Sequence, residues 1–168
     1  SLTGTKTWKD NSNAYGTRPT TGLTLILERR IGTGAWSSDL AGTYPPIWTN
    51  TETNEWTYTF TGLPTCDSSG APYEYRVREV VPSGYVQQSG ANGSFTNVLS
   101  GTVTISGQKI WSGGVGTKEP TLTLYRRLSG STDETSWAPV TGASPTWSGQ
   151  DGSTWTFTYT NLPKYNGD

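Results

Sequence analysis

Apolar and polar side chains alternate in several short stretches of the chain, of which Leu23–Leu27, Trp56–Phe60 and Tyr75–Glu79 are the clearest. A period of two places every second side chain on the same face of a β-sheet. Clusters of turn-forming residues, such as Asp10–Asn13 and Asp67–Gly70, separate these stretches. Short strands between frequent turns are typical of a β-sandwich, and the pattern therefore predicts an all-β protein.

Three blocks of sequence occur twice in the same order, which indicates an internal repeat. The matching pairs are Gly4–Trp8 with Gly107–Trp111, Leu25–Ile31 with Leu122–Leu128, and Trp56–Pro64 with Trp155–Pro163. The loops between the blocks differ in length while the blocks do not, as expected of two copies of one fold. We therefore predict two modules, residues 1–99 and residues 100–168, with the boundary near Ser100.

The second copy matches only the first part of the first copy. In the first copy, predicted strands continue beyond Pro64 as far as Asn97, whereas the sequence ends shortly after Pro163 in the second. By this comparison we expect the second module to lack its closing strands, which would expose open strand edges. Either the chain was cut from a longer one, or a second polypeptide completes the module.

Composition and charge exclude several classes of function. The 168 residues include no histidine and carry a net charge of −1. The missing histidine removes Ser-His-Asp and Cys-His catalysis and the usual zinc sites, and the charge leaves no footprint for nucleic acid or an anionic membrane. No apolar run approaches the length of a membrane span, and no carboxylate pair suited to a hydrolase stands out. We expect neither an enzyme nor a bound metal or other cofactor.

Three polar residues of the first module are predicted to face its interior. Lys6 lies two places before Trp8, Asn97 lies two places after Phe95, and Glu79 shares a face with the apolar residues of its own stretch. Isolated charges are costly to bury, so each of these groups needs a partner. From the residues alone, a lysine–glutamate salt bridge with the asparagine at a turn or edge is one interpretation. Cys66 is the only cysteine, so no intrachain disulfide can form. Another kind of staple is therefore worth looking for, and the alternative is that packing of the core alone suffices.

A set of motifs covers the first module from end to end and the second for its first half. The motifs are Thr5–Asn11, Arg18-Pro19, Tyr58–Pro64, Tyr75–Glu79 with Pro82–Tyr85, and Phe95–Asn97. In this order and spacing they resemble the Cna B-type repeats of Gram-positive surface adhesins and pilins. The resemblance implies tandem inverse immunoglobulin-like β-sandwiches, the second of them incomplete.

The resemblance also implies an intramolecular amide (isopeptide) bond between Lys6 and Asn97, assisted by Glu79. Burial disfavours charge on both ionisable groups, so that a neutral Lys6 amine attacks the Asn97 carboxamide while a protonated Glu79 polarises the carbonyl and shuttles protons. The expected apolar surroundings are Trp8, Tyr58, Phe60, Val77 and Phe95. The reaction occurs once per molecule, so it is maturation and not turnover.

Lys109 occupies the position in the second module that Lys6 occupies in the first, and it lies beside Trp111. Its glutamate and asparagine partners are not found in the second copy. We therefore predict that Lys109 has no covalent partner within this chain, although a partner from another chain remains an open alternative.

The function expected from the resemblance is that of a stalk or spacer in an extracellular, cell-wall-anchored surface protein. The expected partners are neighbouring repeat modules and, for the second module, a complementing strand or peptide. The alternative is a module that binds a host matrix protein or a glycan through tryptophans in predicted loops or loop edges. These are Trp36, Trp48, Trp137 and Trp147. The oxygen-rich segment Asp10–Asn13 lacks the full ligand pattern of a calcium loop, so a plain turn is favoured there.

Overall fold

The computed structural model describes residues 1–20, 22–91 and 93–167, which divide into two units. The first unit is Ser1–Gly101, joined by the residues from Tyr165 onward, and the second is Thr102–Lys164. Strands account for the regular structure of both units, apart from one turn of 3₁₀-helix at Glu134–Ser136. None of the described residues belongs to a helix with the length and hydropathy needed to span a lipid bilayer.

The strands of the first unit form two sheets. In chain order they are β1 (Leu2–Lys9), β2 (Leu25–Ile31), β3 (Ile47–Thr49), β4 (Glu55–Phe60), β5 (Tyr73–Glu79), β6 (Tyr85–Ser89) and β7 (Ser94–Leu99). One sheet has the order β3-β4-β1-β7-β6 and the other pairs β2 with β5. The central strand β1 runs antiparallel to β4 and parallel to β7. The alternating stretches of the sequence lie in β2, β4 and β5, so the prediction of strands there is confirmed.

The core of the first unit lies between the two sheets. Leu27 and Val77 of the two-stranded sheet pack with Tyr58, Phe60 and Phe95 of the five-stranded sheet. Sheets that pack face to face through interdigitating side chains make a β-sandwich. Full burial of one such side chain stabilises the fold by about 1.5–3 kcal/mol. The expectation of an all-β sandwich therefore holds for this unit.

Gly4 allows a close approach in the middle of the five-stranded sheet. A Cβ atom at this position would lie 2.2 Å from the Gly93 carbonyl oxygen and 2.2 Å from the Tyr58 hydroxyl oxygen. The Tyr58 hydroxyl donates a hydrogen bond of 2.7 Å to that carbonyl. A side chain at position 4 is thus excluded, because it would separate the buried phenol from its acceptor.

The segment Asp10–Asn13 forms a turn that is held by a buried ion pair. The Asp10 carboxylate accepts hydrogen bonds from the Arg18 guanidinium, from the Tyr85 hydroxyl and from the backbone N–H of Asn13. Asn11, Ser12 and Asn13 all have left-handed φ values, a conformation that asparagine tolerates better than most residues. The oxygen atoms of Asp10 therefore serve to fix the loop next to Trp8.

The second unit contains five strands among its described residues. They are β8 (Thr102–Ile110), β9 (Tyr125–Arg126), β10 (Ala138–Pro139), β11 (Thr146–Ser148) and β12 (Thr154–Pro163). The sheet order β11-β12-β8 repeats the order β3-β4-β1 of the first unit. The register repeats as well, because Lys109 faces Trp155 as Lys6 faces Trp56.

One predicted strand of the second unit is much shorter than expected. The block Leu122–Leu128 matches β2 in sequence, yet only Tyr125 and Arg126 are in a strand, paired with β10. In the first unit β2 pairs with β5 over seven positions, and in the described part of the second unit no counterpart of β5 pairs with this block. Without that partner, most of the block has no ladder of hydrogen bonds to hold it extended.

Candidate functional site

Strands from both sheets of the first unit bring Lys6, Glu79 and Asn97 together. Lys6 and Asn97 lie on the neighbouring parallel strands β1 and β7, where Lys6 is level with Phe95 and Trp8 is level with Asn97. The alternation of these strands turns both polar side chains inward. Glu79 is the last residue of β5 and enters from the opposite sheet.

A single carboxylate oxygen connects the three side chains. Glu79 Oε1 lies 2.9 Å from Lys6 Nζ and accepts a hydrogen bond of 2.8 Å from Asn97 Nδ2. The side chains of Lys6 and Glu79 are both 0% exposed, and Asn97 is 0% exposed as a residue. An amine, a carboxylic group and a carboxamide are therefore enclosed in one site without access to bulk solvent.

Several polar atoms of this cluster lack hydrogen bonds. Lys6 Nζ is within ion-pair distance of Glu79 but makes no hydrogen bond of good geometry to the described residues, and neither Glu79 Oε2 nor Asn97 Oδ1 has a partner there. A buried polar atom left unsatisfied costs about 1–3 kcal/mol. Such atoms are uncommon in native structures and mark strained or reactive places. Three of them in one cluster make the separate side chains an unfavourable arrangement.

Aromatic side chains surround the lysine. Lys6 Nζ lies 4.2 Å from the ring centroid of Trp8, and Trp8 makes edge-to-face contacts with Trp56 and Tyr85. The residues named as apolar surroundings are all between 0% and 8% exposed. They are Trp8, Tyr58, Phe60, Val77 and Phe95. Tyr58, Phe60 and Phe95 belong to the main core. In the ladder between β1 and β7, Phe95 lies level with Lys6 and Trp8 lies level with Asn97.

Burial changes the protonation of Lys6. Removal from water lowers the pKa of the amine from its ordinary value of 10.5 to about 8, although the neighbouring Glu79 opposes part of this shift. With that pKa, roughly one Lys6 in ten is neutral at pH 7. A neutral amine is a nucleophile, and an ammonium ion is not.

Lys109 has surroundings similar to those of Lys6 but lacks the acid and the amide. Its Nζ lies 4.7 Å from the ring centroid of Trp111, and Trp111 contacts Trp155 edge to face. The residue is half-buried, and no carboxylate in the described part of the chain forms an ion pair with it. The second unit therefore holds an amine of the same kind without the groups that surround it in the first.

The loop prediction for the four remaining tryptophans is wrong for two of them. Trp48 lies in β3 and Trp147 in β11, and each ring packs edge to face on the tryptophan of the adjacent strand. Trp36 and Trp137 do lie in loops. Trp36 contacts the guanidinium groups of two arginines, Arg30 and Arg76, and Trp137 contacts Arg127.

Sequence reasoning missed Gln87. In the ladder between β6 and β7 this residue is directly opposite Asn97, so its side chain starts from the inner face of the sheet. A polar residue in a strand with exposed neighbours gives no periodic signal for such a position. Only the register of the two strands reveals it.

The fold and the site define a class of protein, namely a β-sandwich module with a lysine, an acid and an amide sealed between its sheets. A family model described as the Cna protein B-type domain matches residues 2–98. This match covers more than half of the chain, and the chain therefore belongs to the Cna B-type family, as the sequence motifs predicted. No curated protein and no solved structure gives a significant match.

Proposed function

We propose that the first unit forms an amide bond between the side chains of Lys6 and Asn97, and that the protein is a spacer in an extracellular surface protein. The proposal is carried by the enclosed cluster in which one Glu79 oxygen lies within 3 Å of both the amine and the amide nitrogen, at 2.9 and 2.8 Å. Membership of the Cna B-type family supports the spacer role. The parent protein we propose is an adhesin or pilin anchored to the wall of a Gram-positive bacterium.

The reaction begins with a proton transfer within the ion pair. The proton of Lys6 moves to Glu79, which leaves a neutral amine next to a neutral acid. The amine attacks the Asn97 carboxamide carbon while the Glu79 proton is available to the carboxamide. The new C–N bond forms and the old C–N bond breaks. The departing nitrogen takes the proton from Glu79 and leaves as ammonia, and Glu79 takes up the second proton, which the lysine nitrogen loses as it becomes an amide.

Folding supplies the rate enhancement that an unactivated amide requires. Groups held in reactive orientation behave as if their concentration were about 10⁵ M or more. Burial of the unreacted side chains also favours bond formation. The buried amine of Lys6 lacks a hydrogen-bond partner of good geometry, and converting it to a neutral amide removes the cost of keeping a charge in an apolar interior. Once the ammonia is lost to the solvent the reaction cannot reverse, so the bond accumulates without an enzyme or cofactor.

The bond would change how the unit transmits tension. Lys6 lies in the first strand and Asn97 in the last strand of the sandwich. A covalent link between them carries force past the 91 residue steps in between (97 − 6). These steps would extend by roughly 300 Å if they unfolded, at about 3.3–3.6 Å per residue.

We expect single-molecule stretching between handles at Ser1 and Ser100 to show no unfolding step for the wild-type chain. Asn97→Ala should release a step of roughly 300 Å, and Glu79→Gln should do the same, because it keeps the shape of the acid but cannot transfer a proton. A full-length step in the wild-type chain would contradict the spacer mechanism.

The rate of bond formation is expected to change little between pH 7 and pH 8 and to fall about tenfold per pH unit above pH 8. The reactive pair must hold one proton, whether it resides on Lys6 or on Glu79. Above the Lys6 pKa of about 8 the pair loses this proton to the solvent, and the departing nitrogen has no donor. The measurement is intact mass against time after refolding unreacted chain at a series of pH values. A rate that rises up to pH 8 and then levels would show that the neutral lysine reacts without the acid.

For the second unit, we propose that Thr102–Lys164 is the first part of another Cna B-type module. Its strand β8 pairs with β12 on one side, and no described strand occupies the side that β7 occupies next to β1. The large apolar residues left exposed in the described part of this unit are Val103, Ile105, Ile110, Val115, Tyr125, Leu128 and Trp137. A strand of the continuing chain or of another polypeptide would cover this edge, next to Lys109.

The alternative function is ligand binding through tryptophans. Trp36 is the residue that favours it, because its ring lies 4.5 Å from the Arg30 guanidinium and 4.3 Å from that of Arg76 on the outside of the two-stranded sheet. Binding of the chain to a glycan array or to matrix proteins, abolished by Trp36→Ala, would favour this function over the spacer role.

A further inference from the structure

The proposed reaction creates ammonia in a place from which it cannot leave directly. Lys6 and Asn97 are 0% exposed, and β1 is enclosed by β4 on one side and β7 on the other. Ammonia that stays next to the new amide is itself a well-positioned nucleophile, and its attack regenerates the starting groups with the same advantage of proximity. Net bond formation therefore requires a route by which the ammonia leaves.

A cavity of about 250 Å³ lies on the side of the cluster where the sandwich is open. Its lining residues are Val77, Arg78, Glu79, Gln87, Gly90 and Phe95. The strands that flank it, β5 and β6, are each at the end of a sheet, so no backbone ladder closes the gap. The buried residues Val77 and Phe95 form its inner part, and the exposed Gln87 and half-exposed Arg78 lie at its mouth.

Glu79 is the point at which the cluster meets this cavity. Its Oε1 atom is occupied by Lys6 and Asn97, whereas its Oε2 atom is buried and has no hydrogen-bond partner among the described residues. The Glu79 side chain is 0% exposed, so Oε2 lies behind the cavity wall. A buried carboxylate oxygen without a partner is an acceptor for an ammonium ion, which offers four N–H donors and a positive charge. The unpartnered oxygen therefore has the chemistry to receive the product.

Gln87 is held across the mouth of the cavity by two local features. The pairing of β6 with β7 shifts register between Gln87 and Ser89, and such a bulge redirects the side chain next to it. The Gln87 amide nitrogen lies 3.3 Å from the Ser89 carbonyl oxygen, to which it donates a hydrogen bond. A Cβ atom at Gly90 would lie 1.6 Å from that same nitrogen, so the folded-back position of Gln87 depends on a glycine at this place.

We propose that this cavity is the exit for the ammonium released from Asn97, with the buried Glu79 Oε2 as its acceptor behind the cavity wall and Gln87 as a positioning residue at the opening. The inference rests on the proposed amide bond. The ammonia formed from the Asn97 carboxamide takes the second proton that Glu79 receives from the lysine nitrogen, which returns Glu79 to a carboxylate. One ammonium ion then leaves between β5 and β6, and the atoms and charges of the initial ion pair are conserved.

The test compares two phenylalanine substitutions on the same strand. Gln87→Phe places a ring on the inner face, over the cavity, whereas the control Val86→Phe places it on the outer face, where Val86 is 57% exposed. With unreacted chain refolded from denaturant, we expect Gln87→Phe to form the bond about tenfold more slowly or worse, and Val86→Phe to match the wild type. Equal rates in the two variants would overturn the exit route while leaving the amide bond established. No ammonia loss in the wild type would instead overturn the proposed function.

A binding measurement on folded protein keeps the proposal testable if Gln87→Phe fails to fold. In Lys6→Met, which cannot react, ammonium chloride should cause saturable shifts in the NMR signals of Val77 and Gln87. Tetramethylammonium chloride, which offers no N–H donors, should cause none, and the double variant Lys6→Met/Glu79→Gln should not respond. Absence of a saturable ammonium response in Lys6→Met would overturn the assignment of Glu79 as the ammonium acceptor behind this cavity.

Discussion

The wild-type chain, once folded and then denatured, is expected to weigh one ammonia less than its sequence, and not two. Lys6, Glu79 and Asn97 form an enclosed reactive cluster, whereas Lys109 has no such partners among the described residues. The effect is all or none, because each molecule either contains the amide or does not. Intact-mass spectrometry in denaturant measures it directly.

Substitutions and peptide mapping assign the lost ammonia to a bond. Lys6→Ala, Asn97→Ala and Glu79→Gln should each restore the full mass, and Lys109→Ala should still show the loss. Trypsin cannot cleave after an acylated lysine, so the digest should contain a branched peptide in which residues 1–9 are joined to residues 79–109. A wild-type chain of full mass, or a mass loss that persists in Asn97→Ala, would contradict the amide between these two residues.

The sequence contained enough to predict most of the first unit. Period-two patterns identified β2, β4 and β5 because one face of each strand packs into the core. The same patterns turned Lys6 and Asn97 inward, and the structure brings them to one place. That they meet Glu79 from the opposite sheet depends on topology. The residues alone indicated a salt bridge between Lys6 and Glu79, and the family resemblance supplied the covalent link between Lys6 and Asn97.

The features that escaped prediction depend on partners far away in sequence. The block Leu122–Leu128 has the pattern of β2 but only two residues in a strand, because strand length depends on a pairing partner. Trp48 and Trp147 lie in three-residue strands that are too short to show a period. Gln87 resembles a solvent-facing residue until the bulge and the register with Asn97 are known.

The second large effect is expected in stability, and Asn97→Ala isolates it. This substitution removes the bond but keeps the Lys6–Glu79 ion pair. A link across 91 residue steps (97 − 6) restricts the unfolded chain, and by analogy with a disulfide its loss should cost about 4–5 kcal/mol. Denaturant unfolding of the first unit measures the change. A variant that unfolds at the same denaturant concentration as the wild type would contradict a cross-link of this length.

The pH dependence of the same variant distinguishes a lost bond from simple damage to the core. In Asn97→Ala the Lys6 amine still titrates, with a folded-state pKa near 8 against 10.5 when unfolded. Between these values the unfolded chain binds more protons than the folded one, so stability should rise with pH, by up to roughly 3 kcal/mol in all. The wild-type unit should show no such rise, because an amide nitrogen does not titrate in this range. If the wild type had no amide and the truncation only created a cavity, Lys6 would titrate in both proteins and the two profiles of stability against pH would run parallel. An amide in the wild type alone makes the two profiles converge above pH 8.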